Sequence, residues 1–303
     1  MFPNISGTNQ AYLASLARTQ AQMDQAQSEV SSGLKIQKPS DDPAAVAAIL
    51  QVQADIGLNQ QVQSNLGSAT TELSSADSAL QSAVSAVENA VSLAAQGATS
   101  TATADQRANI AQQVAGLQQT LVGISQTVVN GRYIFSGDQD TGPAYQLDPT
   151  QPNGVKQLIT APATRVILDS TGTAISVAKT AQQIFDNGTA AGGNVFAAVN
   201  ELLTALNNND ATGIAQASSD LHAADAHLND QLAFYGAAED RVAAASDLAQ
   251  KFQTQQQQDL SQLRDADIPT VAVQLNQAQL DEQAALSVEA KVSQNRNLFS
   301  YLG

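Results

Sequence analysis

The sequence predicts a mainly α fold with a small β-rich insertion: an elongated antiparallel helical bundle of coiled-coil character, formed by the N- and C-terminal halves, with the β-rich part at its tip. Three observations predict it. Apolar residues recur at alternating steps of three and four over most of the chain, the spacing that keeps one stripe of a helix facing a partner. Alanine, glutamine, serine and leucine dominate, aromatics make up only 4% of the residues and tryptophan is absent, a composition suited to long helices with narrow seams. Near mid-sequence the spacing gives way to short β-prone runs separated by turn residues.

In chain order, Leu13, Leu16, Gln20, Met23, Gln27, Val30 and Leu34 follow the three-four spacing and form a first seam. The stretch "SSGLKIQKPSDDPAAVAAIL", residues 31 to 50, interrupts it with Gly33, Pro39, an Asp-Asp pair and Pro43. Proline lacks the N–H that is orphaned in a first helical turn, and it pushes the preceding residue out of helical geometry. Pro43 is therefore expected to open a helix, with Asp42 as its N-cap and Asp41 adding negative charge at the positive end of the helix dipole. Gly33 and Pro39 are expected to end the preceding helix.

A second seam, Val62, Leu66, Ala69, Leu73, Ala76, Leu80, Ala83, Val87, Ala90 and Ala94, is apolar at every position. A helix from Pro43 to Gln96 would be roughly 80 Å long at 1.5 Å per residue, and a helix of that length needs a long partner. Ile110, Val114, Leu117, Leu121, Ile124 and Val128 supply a third seam. A fourth runs through Ile214, Ala217, Leu221, Ala224, Leu228, Gln231, Tyr235, Ala238, Val242, Ala245, Ala249, Phe252, Gln256, Asp259 and Leu263.

Between Arg132 and about Ala178 the runs "RYIFSG", "VKQLIT", "TRVILD" and "AISVA" predict strands, and "DPTQPNG" and "DSTGT" supply the proline, asparagine and glycine of tight reversals. "DNGTAAGGN", residues 186 to 194, reads as a flexible joint before the short helix "VFAAVNELLTAL". The chain closes on "EAKVSQNRNLFSYLG", where Val292, Leu298, Phe299 and Leu302 stand on a polar background, as Leu13, Leu16 and Met23 do near the start. Two terminal helices with so little apolar area are marginal by themselves, so neighbouring subunits are the expected source of their missing burial.

The chemistry of sites is sparse. With 28 acidic against 13 basic side chains and a formal charge of −15, a polyanion is repelled over most of the surface, which argues against a nucleic-acid partner. Cysteine is absent, excluding thiolate metal sites and cysteine nucleophiles. His222 and His227 lie five apart, about 140° around a helix, and do not make the i,i+4 metal pair. Asp41 and Asp42 lack the further acidic ligands of a calcium loop. No run of about 18 apolar residues or secretory signal pattern is found. We expect no catalytic, cofactor-binding or metal-binding residues, and no cofactor.

Residues 31 to 50 resemble the N-terminal signature of the bacterial flagellin superfamily. "VVNGRYIFSGDQDTGPAY", residues 128 to 145, with Asn130, Gly131, Arg132, Tyr133 and Phe135, is similar to the hook-associated branch of that superfamily found between hook and filament. "DLSQLRDADIPTVAVQLNQAQLDEQAALSVEAKVSQNRNLFSYLG" is similar to its C-terminal helix. The resemblance implies a structural protein rather than an enzyme, exported through the flagellar type III apparatus without a cleaved signal, after binding an export chaperone, and located outside the cell at the flagellum. It implies self-assembly into a ring of about eleven subunits closed by heterologous contacts, with the first hook-associated protein on the hook side and flagellin on the filament side. The implied division is 1–42 with 265–303 as a terminal helical inner-tube part and its spoke, 43–131 with 195–264 as the long-helix rod, and 132–194 as a β-rich outer insertion. Gly33, Pro39, Asp41, Asp42 and Pro43 would form the spoke, and Leu13, Leu16, Met23, Val30, Val292, Leu298, Phe299 and Leu302 the subunit contacts. Two other readings stay open: a minor flagellin that forms filament itself, and an adhesin or enzyme whose activity lies in 132–194.

Overall fold

The computed structural model describes residues 5–161, 164–188 and 193–299. Seven helices are described: α1 (Ile5–Ser32), α2 (Pro43–Gly97), α3 (Ala104–Ser125), α4 (Ala181–Phe185), α5 (Val195–Asn207), α6 (Ala211–Arg264) and α7 (Ile268–Phe299). Six short strands lie between α3 and α4: β1 (Val128–Val129), β2 (Arg132–Tyr133), β3 (Tyr145–Leu147), β4 (Val155–Gln157), β5 (Val166–Leu168) and β6 (Ala174–Ser176). The chain groups into two compact units, Met1–Gly57 with Gln253–Gly303, and Leu58–Phe252.

The larger unit is built on α2 and α6. Every residue of the second seam from Leu66 to Ala94 is buried, and so is every residue of the fourth from Ile214 to Ala249. Within α2 the seam alternates large and small, Leu66, Leu73, Leu80 and Val87 against Ala69, Ala76, Ala83 and Ala90. In α6 the same alternation sets Ile214, Leu221 and Leu228 against Ala217 and Ala224. Alternating volumes let facing layers interdigitate at core density, knob into hole. The two helices are antiparallel: Gly97 lies against Ile214, and at the opposite end the Asn59 amide donates to the Ala249 carbonyl at 2.8 Å. Beyond Ala249 the burial stops, with Phe252 37% exposed.

α3 opens with a capping box, Thr103 accepting from the Gln106 amide while the Gln106 side chain accepts from the Thr103 N–H, and it packs on α5. Its inward face is Arg107, Ile110, Ala111, Val114, Gln118, Leu121, Val122 and Ser125. The third seam is corrected at one place: Val128 lies beyond the helix in β1, 49% exposed. Leu117 and Ile124 are half-buried against the core, and Gln118 is buried beside Leu117, its amide reaching Asn200 Oδ1 at 3.3 Å. Buried Arg107 fastens the chain reversals at this end: Nε donates to the Gly97 carbonyl at 2.8 Å, and the guanidinium also reaches the Thr99 carbonyl and Asn209 Oδ1.

The six strands form three separate antiparallel pairs, β1–β2, β3–β4 and β5–β6. The reversals fall on the two turn segments: Leu147 pairs with Val155 across "DPTQPNG", and Leu168 with Ala174 across "DSTGT". Each is closed by its own aspartate. Asp148 Oδ1 accepts from the Thr150 N–H at 3.0 Å, and Asp169 Oδ1 from the N–H groups of Thr171 and Thr173, both at 2.8 Å. The Thr150 and Thr171 hydroxyls, which donate to the same oxygens at 2.6 and 2.7 Å, and then these backbone bonds hold both carboxyls below their usual range. Gly154, at φ +74, holds a left-handed conformation that glycine takes without strain, and a Cβ there would press on the side-chain amides of Gln118 and Asn200.

The β-rich segment is not at the tip of the helices. Arg165 pairs with Glu72, the Ser170 hydroxyl donates to Asn59 Oδ1 at 2.8 Å, and the Lys179 N–H donates to the Tyr235 hydroxyl at 3.1 Å. The segment thus lies along α2 and α6, away from the end marked by Gly97 and Ile214. The physical reason is an aromatic cluster. Phe135 meets Phe185 and Tyr235 edge-on at 6.2 and 6.4 Å, and Phe196 stacks on Phe185 and tilts against Tyr145. All five are buried in one core with the helices, as strands of two or three residues have too little apolar area to fold alone.

Replacing the fully buried Phe135 by alanine is expected to cost about 3–5 kcal/mol in urea unfolding, whereas Val166→Ala on the outer face of β5 should cost less than about 0.5 kcal/mol.

Candidate functional site

The segment between α1 and α2 is organised residue by residue. α1 stops at Ser32 because Gly33 adopts φ +73, a left-handed conformation that glycine takes without strain; its N–H still donates to the Glu29 carbonyl at 2.8 Å. Pro39 occupies the second position of a turn in which the Asp41 N–H donates to the Lys38 carbonyl at 3.0 Å. Pro43 opens α2, and Asp42 Oδ1 accepts from the N–H groups of Ala44 and Ala45, each at 3.1 Å. Asp41 has a different job from the helix-dipole charge expected of it. Its Oδ2 turns back to accept from the N–H groups of Lys38 at 2.8 Å and Gln37 at 3.0 Å. Those two backbone bonds hold its carboxyl below the usual range.

A second break faces the first within the smaller unit. Between α6 and α7, Asp267 accepts at the start of α7, its carbonyl from the Val271 N–H at 2.9 Å and its carboxylate from the Thr270 hydroxyl at 2.7 Å. The two breaks pair with each other: the Lys35 N–H donates to the Arg264 carbonyl at 2.7 Å, the Ala266 N–H to the Gly33 carbonyl at 2.9 Å, and Leu34 and Asp265 form an antiparallel bridge. Sequence reasoning missed this pairing. The available signal was the repeated design, aspartate just before a proline-containing first turn, at Asp42-Pro43 and again at Asp267-Ile268-Pro269. A cleft lined by Glu29, Lys35, Lys38, Asp41 and Asp267 lies beside it.

α1 packs on α7 in the same unit, and the first seam is corrected. Inward-facing residues of α1 are Tyr12, Leu16, Thr19, Met23, Ala26 and Glu29, with the Tyr12 hydroxyl donating to the Ala285 carbonyl at 3.1 Å. Leu13 is 61% and Val30 38% exposed. A mostly polar helix offers few apolar residues to fix the phase of its face, and small Ala26 with the long polar reach of Tyr12 sets it instead. α7 also leaves Val273, Leu280, Leu286 and Val288 exposed. The side chains of Val292, Leu298 and Phe299, and Leu302 altogether, lie outside the described residues, as does 189–192 of the expected joint.

The motif at the start of the insertion is a hairpin leading to a buried anchor. Asn130 and Gly131, at φ 52 and φ 78, make the two-residue reversal that brings Val129 against Arg132; positive φ at both central positions is the type I′ signature. Arg132 pairs with Asp140, and the Tyr133 N–H donates to the Asp140 carbonyl at 2.9 Å. Phe135 follows in the aromatic cluster, where its carbonyl accepts from the Ala181 N–H at 2.7 Å. No cluster of three or more potential metal ligands is present among the described residues, and none of their helices is long and apolar enough to cross a membrane.

Asp42→Ala should cost about 1 kcal/mol of helix stability and Gly33→Ala about 1–2 kcal/mol, read by urea unfolding of the full chain. Because the Asp41 carboxyl is held low in the folded state, its contribution is present above the ordinary carboxylate range and lost as pH falls through the lowered value. Amide exchange at Gln37 and Lys38 should accelerate at that acid step, and Asp41→Asn should remove the step.

The profile of the bacterial flagellin N-terminal helical region matches residues 4–140. Solved structures match the fold. A candidate flagellar hook-associated protein from Vibrio parahaemolyticus is 18% identical with a TM-score of 0.65, over 74% of this chain and 100% of that one. The FlgL protein of Xanthomonas campestris is 16% identical with a TM-score of 0.57, over 73% and 100%, and the flagellar junction protein FlgL of Legionella pneumophila is 13% identical with a TM-score of 0.56, over 72% and 100%. No curated protein matches in sequence. Residues 4–140 are thus similar to the bacterial flagellin N-terminal helical region, and the chain shares the fold of these solved flagellar hook-associated and junction structures.

Proposed function

We propose that this chain is a structural adaptor of the bacterial flagellum that joins hook to filament. One observation carries the reading: a flagellin N-terminal helical region occurs in a chain whose fold matches a flagellar junction protein over that protein's whole length. On this reading the protein is not an enzyme. It is exported, acts outside the cell at the hook–filament junction, and meets its own copies in a ring, the first hook-associated protein on one side and flagellin on the other, with an export chaperone engaged beforehand.

The three-part division drawn from the sequence gives each segment a task. The terminal helices, 1–42 with 265–303, would line the inner tube, 43–131 with 195–264 would form the wall, and 132–194 would face outward. Exposed Leu13 and Val30 on α1 and the exposed apolar residues of α7 are side chains left for neighbouring subunits, to which Leu298, Phe299 and Leu302 would add. Residues 33–42 would then be a spoke between the two parts, its shape fixed by Gly33, Pro39, Asp41, Asp42 and Pro43.

A clean deletion of the gene should leave hooks made and flagellin lost to the medium, with filaments unattached; normal filaments would overturn the reading. Purified protein that extends long filaments from seeds would assign it to flagellin instead.

A further inference from the structure

Where the insertion returns to the helices, a chain of polar contacts runs through one histidine. The seam of α6 is apolar from Ile214 to Ala249 except at Gln231, which is 7% exposed. Gln231 Oε1 accepts from Lys179 Nζ at 2.8 Å, and its Nε2 faces His227 Nδ1 at 3.5 Å. The other imidazole nitrogen, Nε2, lies 3.2 Å from the Gln183 carbonyl. Lys179 also stands 4.6 Å over the Phe234 ring. Two residues of α6 thus hold two residues of the returning segment, and His227 is the shared link.

The atom types dictate one arrangement. A carbonyl can only accept, so His227 Nε2 carries the proton and donates to Gln183. Nδ1 is then a lone pair that accepts from the Gln231 amide, leaving the amide oxygen for Lys179. Adding a proton at Nδ1 sets an N–H against an NH2 group, and two donors cannot bond. If the amide rotates to offer its oxygen to the imidazolium, its NH2 group faces the Lys179 ammonium. Either way a single proton removes one contact from the chain, and a buried polar group left without a partner is costly.

We propose that His227 is a proton-sensitive latch fastening residues 179–183 to α6, closed with a neutral imidazole and loosened on acidification. Of all side chains, imidazole is the one whose ordinary charge change falls between about pH 5 and 8. The charged groups around it have other engagements or lie along the same elements. Asp186, at the end of α4, accepts from the Tyr145 hydroxyl at 3.0 Å and from the Asn194 amide. Asp220 on α6 accepts from Gln216 and stands beside Glu201 on α5, whose carboxyl is raised by burial first and by Asp220 second. Asp225 and Asp230 flank His227 in sequence on α6.

Hydrogen–deuterium exchange of the full chain tests this, followed over residues 177–185 at pH 7.5 and 5.5 and corrected for intrinsic exchange. Wild type should lose about fivefold protection at pH 5.5, the effect of one hydrogen bond. His227→Gln, which cannot be protonated, should show no such loss, and His222→Gln should keep it. Lys179→Met, which removes the ammonium so that the rotated amide meets no cation, should shrink the loss. Equal protection at both pH values in wild type, or the same loss in His227→Gln, overturns the latch.

Discussion

The larger unit depends on one constraint, that α2 and α6 meet with a large residue of one seam beside a small residue of its own. Leu66, Leu73, Leu80 and Val87 alternate with alanines in α2, and Ile214, Leu221 and Leu228 do so in α6. All of them are buried. A seam that is half alanine gains modest apolar area per turn, so its stability comes from length. In α6 the place of a small residue is taken by Gln231, next to the large Tyr235, and that is where the insertion is received. Tyr235 offers its ring edge to Phe135 and its hydroxyl to the Lys179 N–H, while Gln231 takes the Lys179 ammonium. Burial pushes the Tyr235 phenol well above its ordinary range, so it stays a neutral hydroxyl there.

The acidic composition has a second meaning in the folded chain. Read as charge, it repels polyanions. In the structure, Asp41, Asp42, Asp148 and Asp169 accept from backbone N–H groups of their own turns or helix starts. Each closes a local reversal or cap without help from distant residues. The acids whose carboxyls are raised are placed differently: burial raises Asp186, Glu201 and Glu239, with Asp220 adding like charge beside Glu201 and Asp77 and Asp240 beside Glu239. Removal from water and like charge disfavour ionisation, whereas hydrogen bonds from the turns of Asp41, Asp148 and Asp169 favour it.

The long helices were legible because the α2 seam is apolar at every position and the α6 seam is apolar from Ile214 to Ala249 except at Gln231, each over many heptads; α2 was expected to end at Gln96 and ends at Gly97. The reversals at 148–154 and 169–173 were legible from their Asp, Pro, Asn and Gly content. The face of α1 was not, since Leu13 and Val30 fitted the three-four template as well as the residues that turn inward. Nor was the placement of the insertion, because Phe135, Phe185 and Tyr235 are scattered over a hundred positions and nothing local in any of them names its partners. The residues proposed for the spoke are of another kind. Their backbone geometry is local and readable, but contacts between copies belong to surfaces that a single chain leaves open.

The same separation between local and distant contacts orders the formation of the fold. The turns closed by Asp41, Asp148 and Asp169 join residues within five positions of each other, so their closure costs little entropy and needs nothing else in place. Phe135 meets Tyr235 across a hundred residues, and that ring pair can form only once α6 has been drawn alongside α2. A chain arriving from its N-terminus would hold its hairpins while the aromatic pocket that receives them is still incomplete. The motif that most distinguishes the sequence, "NGRYIFSG", thus carries in Phe135 the side chain whose burial waits for the far half of the molecule.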